Sequence, residues 1–256
     1  MRPALSVLEF FLVGYRRTWR GSVLGSFVLP VLFVLGFGIG VGHYVDLGGR
    51  LGPIRYRDYI VPGMLAATAM QVAFGESSWQ VLSRFIWIRT YHAMVAAPLR
   101  IVDILGGSLL FVLLRLVLTT VAFLLITTLF GAVHSVWALT IPLTCALLGL
   151  AIAAPVFAFA ARVRDDSYFA LLMRVVLIPL GLFSGVYFPI SALPPVLHTL
   201  AYLSPLWHAV DLCQAATLPG VHLSGLTIVG HLAYLSAWAA LGSWLAWRMF
   251  RRRLAD

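Results

Sequence analysis

Apolar residues in this chain come in long, nearly unbroken runs, and polar residues gather in the short stretches between them. The runs lack the period-two alternation of a barrel strand. Six of them, 23–41, 59–76, 104–130, 136–161, 168–186 and 226–247, are long enough to cross a hydrocarbon layer of roughly 30 Å, which takes about 20 helical residues. In lipid only helices or closed barrels satisfy the backbone. The pattern therefore predicts an all-α integral membrane protein with six transmembrane helices in a single domain.

Three stretches break this pattern. Near the start, Leu5, Leu8, Leu12, Tyr15 and Trp19 recur at helical spacing, with Ser6, Glu9, Arg16 and Arg20 elsewhere on the wheel. That predicts an amphipathic interfacial helix over 1–21, with spans one to five over 22–183. The tract between spans two and three carries Phe85, Ile88, His92 and Val95 at helical spacing, Trp87, Tyr91 and Met94 beside them, Arg84 and Arg89 interleaved, and Pro98 at the end. It predicts one short helix parallel to the membrane, longer than a plain connector requires. The third stretch, 184–225, is too apolar for a solvated loop and too broken by Pro189, Pro194 and Pro195 for a span. Ser204 followed by Pro205 reads as a helix start, so two short helices meeting in a re-entrant hairpin are expected. Span six and a basic tail fill 226–256.

Charge orients the bundle. The chain is 61% hydrophobic and 11% charged, with a mean hydropathy of +0.97. It has no Lys, so its 18 basic residues are all Arg. Arg2, Arg16, Arg17 and Arg20 precede span one; Arg84, Arg89 and Arg100 follow span two; Arg162 and Arg164 follow span four; Arg248, Arg251, Arg252 and Arg253 follow span six. The opposite side holds Arg50, Arg55 and Arg57. The positive-inside rule then places both termini and the 84–98 tract in the cytoplasm, in a multi-pass protein of the cell membrane. The same rule accounts for the pI of about 10.3 without nucleic acid. Nothing at the N-terminus reads as a cleavable signal.

Three ionisable groups lie within the runs. Arg115 sits about 11 residues into span three, near mid-membrane at about 1.5 Å per residue, where a charge costs roughly 2.5–3.5 kcal/mol. Glu76 and Arg174 lie near the inner ends of spans two and five, and Glu76 is expected to pair with Arg115 or Arg174. Cys145 and Cys213 show no spacing indicative of a disulfide or metal site. The seven histidines, His43, His92, His134, His198, His208, His222 and His231, are scattered and read as structural, with no metal site. A chain without Lys has no Walker A loop, so an energised pump would need a separate ATPase.

The tract AFGESSWQVL, followed by TYHAMVAAPLRIVDILGG, resembles the span-two to span-three region of ABC-2 superfamily exporter permeases, at Tyr91, Ala93, Met94, Ala97, Pro98, Leu99, Asp103 and Ile104. A second stretch resembles the family's external signature at Phe183, Ser184, Gly185, Phe188, Pro189, Leu193 and Pro194, then Pro205, Leu206, His208 and Asp211. Within the superfamily the likeness is first to J-type permeases of nodulation factor export, which move lipooligosaccharides, and next to daunorubicin-resistance-type drug permeases. It departs from the former where SRFIWIRTYHAM replaces a Gly- and Arg-rich run. The resemblance implies a dimer, with a second copy or a paralogue, set among membrane lipids above two ATPase subunits that bind ATP and Mg, with no cofactor in this chain. Arg84, Phe85, Trp87, Ile88, Arg89, Tyr91, His92, Met94 and Pro98 would form the coupling helix. Phe183, Phe188, Pro189, Pro194, Pro205, His208 and Asp211 would line an external gate for a lipid-bearing or amphipathic cargo. The alternative is a membrane-embedded enzyme using His198, His208 and Asp211 on an outward-facing site.

Overall fold

A computed structural model describes residues 3–48, 54–133 and 135–255; Arg2, Arg50 and His134 lie outside them. Among the described residues the chain is helical and forms no strand. Helix α1 (Pro3–Phe33) runs on through a π-helical stretch, Val34–Val41, into α2 (Gly42–Leu47). The separate interfacial helix expected over 1–21 is thus replaced by one helix continuous with span one. Arg16, Arg17 and Arg20, whose charges marked the expected boundary, are all exposed along it, so their solvation demands no bend. The buried stripe is also rotated from the one expected. Val7 and Phe11 are buried, with Leu8, Leu12 and Tyr15 packed beside them, whereas Leu5 and Trp19 are exposed.

Helix α3 (Tyr56–Ser77) begins where the Asp46 carboxylate accepts from the Tyr56 amide at 2.8 Å, meeting one of the amide groups a helix start leaves bare. It is buried along most of its length and touches α1's π-helical extension, α6 (Ile101–Leu129), α7 (Ile141–Ala160) and α11 (Pro205–Thr217). At Ser78 the chain turns out of it into α4 (Trp79–Ile86), then α5 (Thr90–Ala96). Among the described residues, three helical stretches are long and apolar enough to cross a membrane: α6 (Ile101–Leu129), Val136–Ala160, which includes α7 (Ile141–Ala160), and Gly225–Leu254 within α12 (Gly225–Ala255). Two shorter apolar helical stretches are Val31–Leu47 and Ser167–Phe183. The latter comprises α8 (Ser167–Leu172), a π-helical turn and α9 (Ile178–Phe183). It ends before residue 186, the expected end of span five, because the chain turns at Gly185 with a positive φ of 78°. Beyond it lie α10 (Pro195–Tyr202) and α11 (Pro205–Thr217).

Small residues let these helices approach closely, as membrane helices require where burial of apolar surface no longer drives association. Gly149 of α7 lies under Leu116 of α6, and Gly242 of α12 lies against the Pro155 ring of α7. A Cβ at Gly107 of α6 would stand 2.6 Å from Val7 Cβ and 2.7 Å from the Ala4 carbonyl oxygen, so α1 seats directly on α6. Phe11 and Tyr15 then meet Phe111, with ring centroids 5.6 and 6.1 Å apart, and the two helices run in the same direction. Gly107→Val is expected to push α1 off this seat and to lower stability by about 1–3 kcal/mol, read as a drop in the thermal midpoint of the purified protein; an unchanged midpoint would contradict the packing. Arginines tie off helix ends: Arg57 donates to the Phe130 and Gly131 carbonyls at 3.0 and 2.8 Å, and Arg253 to those of Ala160 and Val163 at 2.8 Å each.

Candidate functional site

Within the bundle, Arg115 Nη2 of α6 stands 3.0 Å from Glu76 Oε1 of α3, both side chains 14% exposed. Tyr15 of α1 covers the guanidinium from another side, its ring centroid 4.6 Å away. The Arg115 Nε, buried, has no acceptor. The charge is therefore held by one carboxylate and one π face, linking three helices. Arg174 takes no part: it is exposed and makes no ion pair among the described residues.

Beyond Glu76, from Arg84 to Pro98, comes the tract expected as a single coupling helix. It forms two helices instead, α4 and α5, separated by a corner at residues 87–89 where Arg89 adopts left-handed backbone, φ 54°. Packing explains the break. Phe85 and Tyr91, on either side of the corner, both close onto Phe250 of α12, with centroids 4.8 and 5.3 Å away, and Phe250 in turn packs on Phe157 of α7 at 6.0 Å. A straight helix would carry Tyr91 away from that cluster. Arg84 lies over the Phe11 ring at 4.2 Å and reaches the Tyr91 hydroxyl at 3.5 Å, and Arg253 lies over Phe85 at 4.5 Å. The expected coupling residues therefore divide. Arg84, Phe85, Tyr91 and Met94 face inward, while Trp87, Ile88, Arg89, His92 and Pro98 are exposed, Trp87 and Ile88 at 63% and 67%.

At the other end of the bundle, residues 184–187 form a non-helical strap, and its Gly185 and Tyr187 carbonyls meet side-chain donors, as backbone away from water must. Tyr59 Oη and Gln214 Nε2 donate to the Gly185 carbonyl at 3.0 and 3.3 Å, and Tyr56 Oη donates to that of Tyr187 at 3.2 Å. The Ser184 and Ser204 hydroxyls pair at 2.8 Å, and Ser204 also accepts from the Leu206 amide at the start of α11. Gly63 of α3 admits the Val186 backbone, 3.0 Å from where a Cβ would stand. Phe183, Phe188 and Pro189 are half-buried around the strap, Pro205 is buried and Pro194 is exposed.

His208 and Asp211 are joined through a residue read from the sequence only as one of several scattered histidines, His231 of α12. The His208 and His231 Nδ1 atoms lie 2.7 Å apart, His208 Nε2 is 3.0 Å from the Tyr202 carbonyl, and His231 Nε2 is 3.1 Å from Asp211 Oδ2. A carbonyl only accepts, so His208 donates from Nε2 and, as a neutral ring, accepts at Nδ1 from His231. One proton then lies between His231 and Asp211, where the approach is an ion-pair contact off the ring's N–H axis rather than an aligned hydrogen bond. Tyr234 stacks on His208 at 4.0 Å and donates to the Leu203 carbonyl at 2.6 Å. The series ends on the Tyr202 carbonyl, and His198 lies outside it, bonded to the Leu193 carbonyl at 3.0 Å. These contacts fasten α11 and the end of α10 to α12. His231→Leu is expected to strip His208 and Asp211 of their partner and cost about 1–3 kcal/mol, read as a lower thermal midpoint; a midpoint at the wild-type value would contradict the fastener.

The signal for His231 was its position within the sixth apolar run, where an ionisable residue calls for a partner. Arg253, read only as part of a basic tail, carried no such signal. Cys145 and Cys213 are both buried and free.

The chain matches the ABC-2 type transporter family over residues 6–218. It is 27% identical over 242 residues to nodulation protein J of Rhizobium leguminosarum bv. trifolii, covering 94% of this chain and 90% of that protein. Against nodulation protein J of Neorhizobium galegae it is 28% identical over 246 residues, covering 95% and 91%. Against the inner membrane transport permease YadH of Escherichia coli (strain K12) it is 27% identical over 244 residues, covering 89% and 90%. With the family match extending from α1 to just past α11, through the Glu76–Arg115 pair, the corner and the strap, this chain belongs to the ABC-2 type transporters and is a transporter membrane subunit.

Proposed function

We propose that this chain is the permease subunit of an ATP-driven exporter, carrying a lipid-linked, glycolipid or amphipathic drug-like substrate outward across the cell membrane, with both termini in the cytoplasm. Two copies, or one copy and a paralogue, stand above two separate ATPase subunits that bind ATP and Mg. The observation that carries this reading is the exposed Trp87–Ile88–Arg89 corner, seated on the ends of α7 and α12 through Phe85, Tyr91 and Phe250, in a chain with no Walker lysine. Aromatic and Arg side chains are the usual anchors of a protein contact, and a close-packed cluster passes displacement on rather than absorbing it. A push at the corner would reach α12 and α7 through the aromatic cluster, and α1 through Arg84 and Phe11. The similarity to nodulation proteins J, together with the resemblance to J-type permeases, favours a lipid-bearing oligosaccharide first. The strap and hairpin, apolar and half-buried, suit the exit for such a cargo.

The test is uptake into inverted membrane vesicles. The ATPase is first identified by co-purification with the tagged chain. ATP-dependent accumulation of a fluorescent glycolipid is expected only when both proteins are present and is abolished by substituting the Walker lysine of the ATPase. Accumulation in vesicles that hold this chain alone would contradict the reading.

A further inference from the structure

Between the ends of α7 and α12 lies a cavity of about 420 Å³, lined by Ala161, Arg162, Arg164, Met249, Arg252 and Arg253 and open to the surface. Four arginines line one small space. Among the described residues, no carboxylate stands within ion-pair distance of any of them. Asp165, next to Arg164, is occupied locally: it accepts from the Ser167 amide at 2.8 Å, and that bond holds its exposed carboxyl below the usual range. Arg253 is committed, since it holds the Ala160 and Val163 carbonyls. Arg162, Arg164 and Arg252 are exposed, and among the described residues their side chains make no ion pair.

The depth of the cavity is marked by the same helix. On α12, Arg248 lies over Trp244 at 5.5 Å and Arg251 over Trp247 at 5.7 Å, each one turn back along the helix. Tryptophan collects at headgroup level, and arginine beside it reaches from apolar surroundings toward water. The last turns of α12 therefore straddle the boundary, and the arginines of the cavity open beside lipid headgroups. Guanidinium forks match phosphate oxygens two at a time, and basic pockets between membrane helices hold anionic headgroups.

We infer that the cavity between Arg162, Arg164 and Arg252 binds the phosphate group of an anionic phospholipid headgroup from the adjacent leaflet. Met249 and the apolar face of α12 offer the acyl chains a surface, and the bound lipid supplies a counter-charge that no described carboxylate provides. The site joins the end of α7 to the end of α12, the two helices on which the Phe157–Phe250 contact is built, so an occupied site clamps the base of the corner.

The test uses the full chain purified in detergent, with native mass spectrometry counting retained lipid and a thermal midpoint reporting the fold. Arg162→Gln/Arg164→Gln/Arg252→Gln leaves Arg253 and its helix-end bonds intact. The wild type is expected to retain phosphatidylglycerol in preference to phosphatidylcholine, and the variant to lose that preference by about 10- to 100-fold in apparent affinity, with an unchanged midpoint in phosphatidylcholine. Arg→Lys replacements at the same three positions keep the charge, guard against a folding defect, and should keep most of the preference. Equal retention of both lipids by the wild type, or an unaltered preference in the Gln variant with its fold intact, overturns the site. So does full displacement of the lipid by millimolar inorganic phosphate, which would assign the cavity to a soluble anion. If the variant keeps its lipid but no longer co-purifies with the ATPase, the arginines belong to protein docking and the inference fails.

Discussion

Glu76→Gln is expected to destabilise the permease by about 3 kcal/mol and to reduce its export and assembly in proportion. The variant keeps the side chain's shape but removes the charge opposite Arg115, 3.0 Å away. What remains around the guanidinium is the Tyr15 ring, with the Arg115 Nε still lacking an acceptor. An uncompensated charge within a bundle costs more than the pair contributed, because the desolvation penalty of the arginine stays when its partner goes. The same logic gives the control. Glu76→Gln/Arg115→Met replaces both charges and should recover most of the lost midpoint, whereas Arg174→Gln, altering an exposed residue outside the pair, should leave it unchanged. Thermal melts of the three proteins in one detergent decide the matter. A Glu76→Gln protein that melts and exports like wild type would show the pair to be incidental.

Local composition made much of this fold legible. Runs of apolar residues located α6, α7 and α12, and the Ser204–Pro205 pair located the start of α11, because a cap and a proline act within a few residues of where they stand. The junction between the N-terminal segment and span one was not legible. Three arginines in a row of turns look like a boundary, yet each is solvated from the outside of a continuous helix, and the seat on Gly107 comes from a residue far along the chain. The corner at Arg89 escaped for a related reason. A left-handed residue is usually announced by glycine; here an arginine is held there by Phe85 and Tyr91 closing on Phe250. The site's other fastenings join residues separated by 23 positions in His208–His231, 93 in Arg253–Ala160 and 126 in Tyr59–Gly185. No periodicity or spacing rule reads contacts at such range. The fates of the two tract arginines follow from the same fact. Neighbours in sequence and chemistry, Arg84 packs inside over Phe11 while Arg89 stands exposed at the turn.

Those two arginines set the second large effect. Trp87→Ala/Ile88→Ala/Arg89→Glu should leave the bundle's stability within about 1 kcal/mol of wild type, since surface changes away from packed features usually cost less than that. Glu at position 89 occupies the same left-handed backbone at no greater cost than Arg. The same substitution should weaken productive contact with the ATPase at least about 30-fold, the loss that follows from removing Trp and Arg anchors of about 2 kcal/mol or more. Arg84→Glu is expected to behave differently, lowering the thermal midpoint, because it reverses a charge stacked on Phe11 beside Tyr91. The most direct measurement is ATP hydrolysis and substrate transport recorded in the same proteoliposomes, with the permease–ATPase complex carrying either the wild-type or the triply substituted corner. A motor that works the bundle through this corner predicts that the variant, folded and inserted, loses transport together with substrate-stimulated hydrolysis. Wild-type transport at wild-type ATP cost in that variant would contradict it.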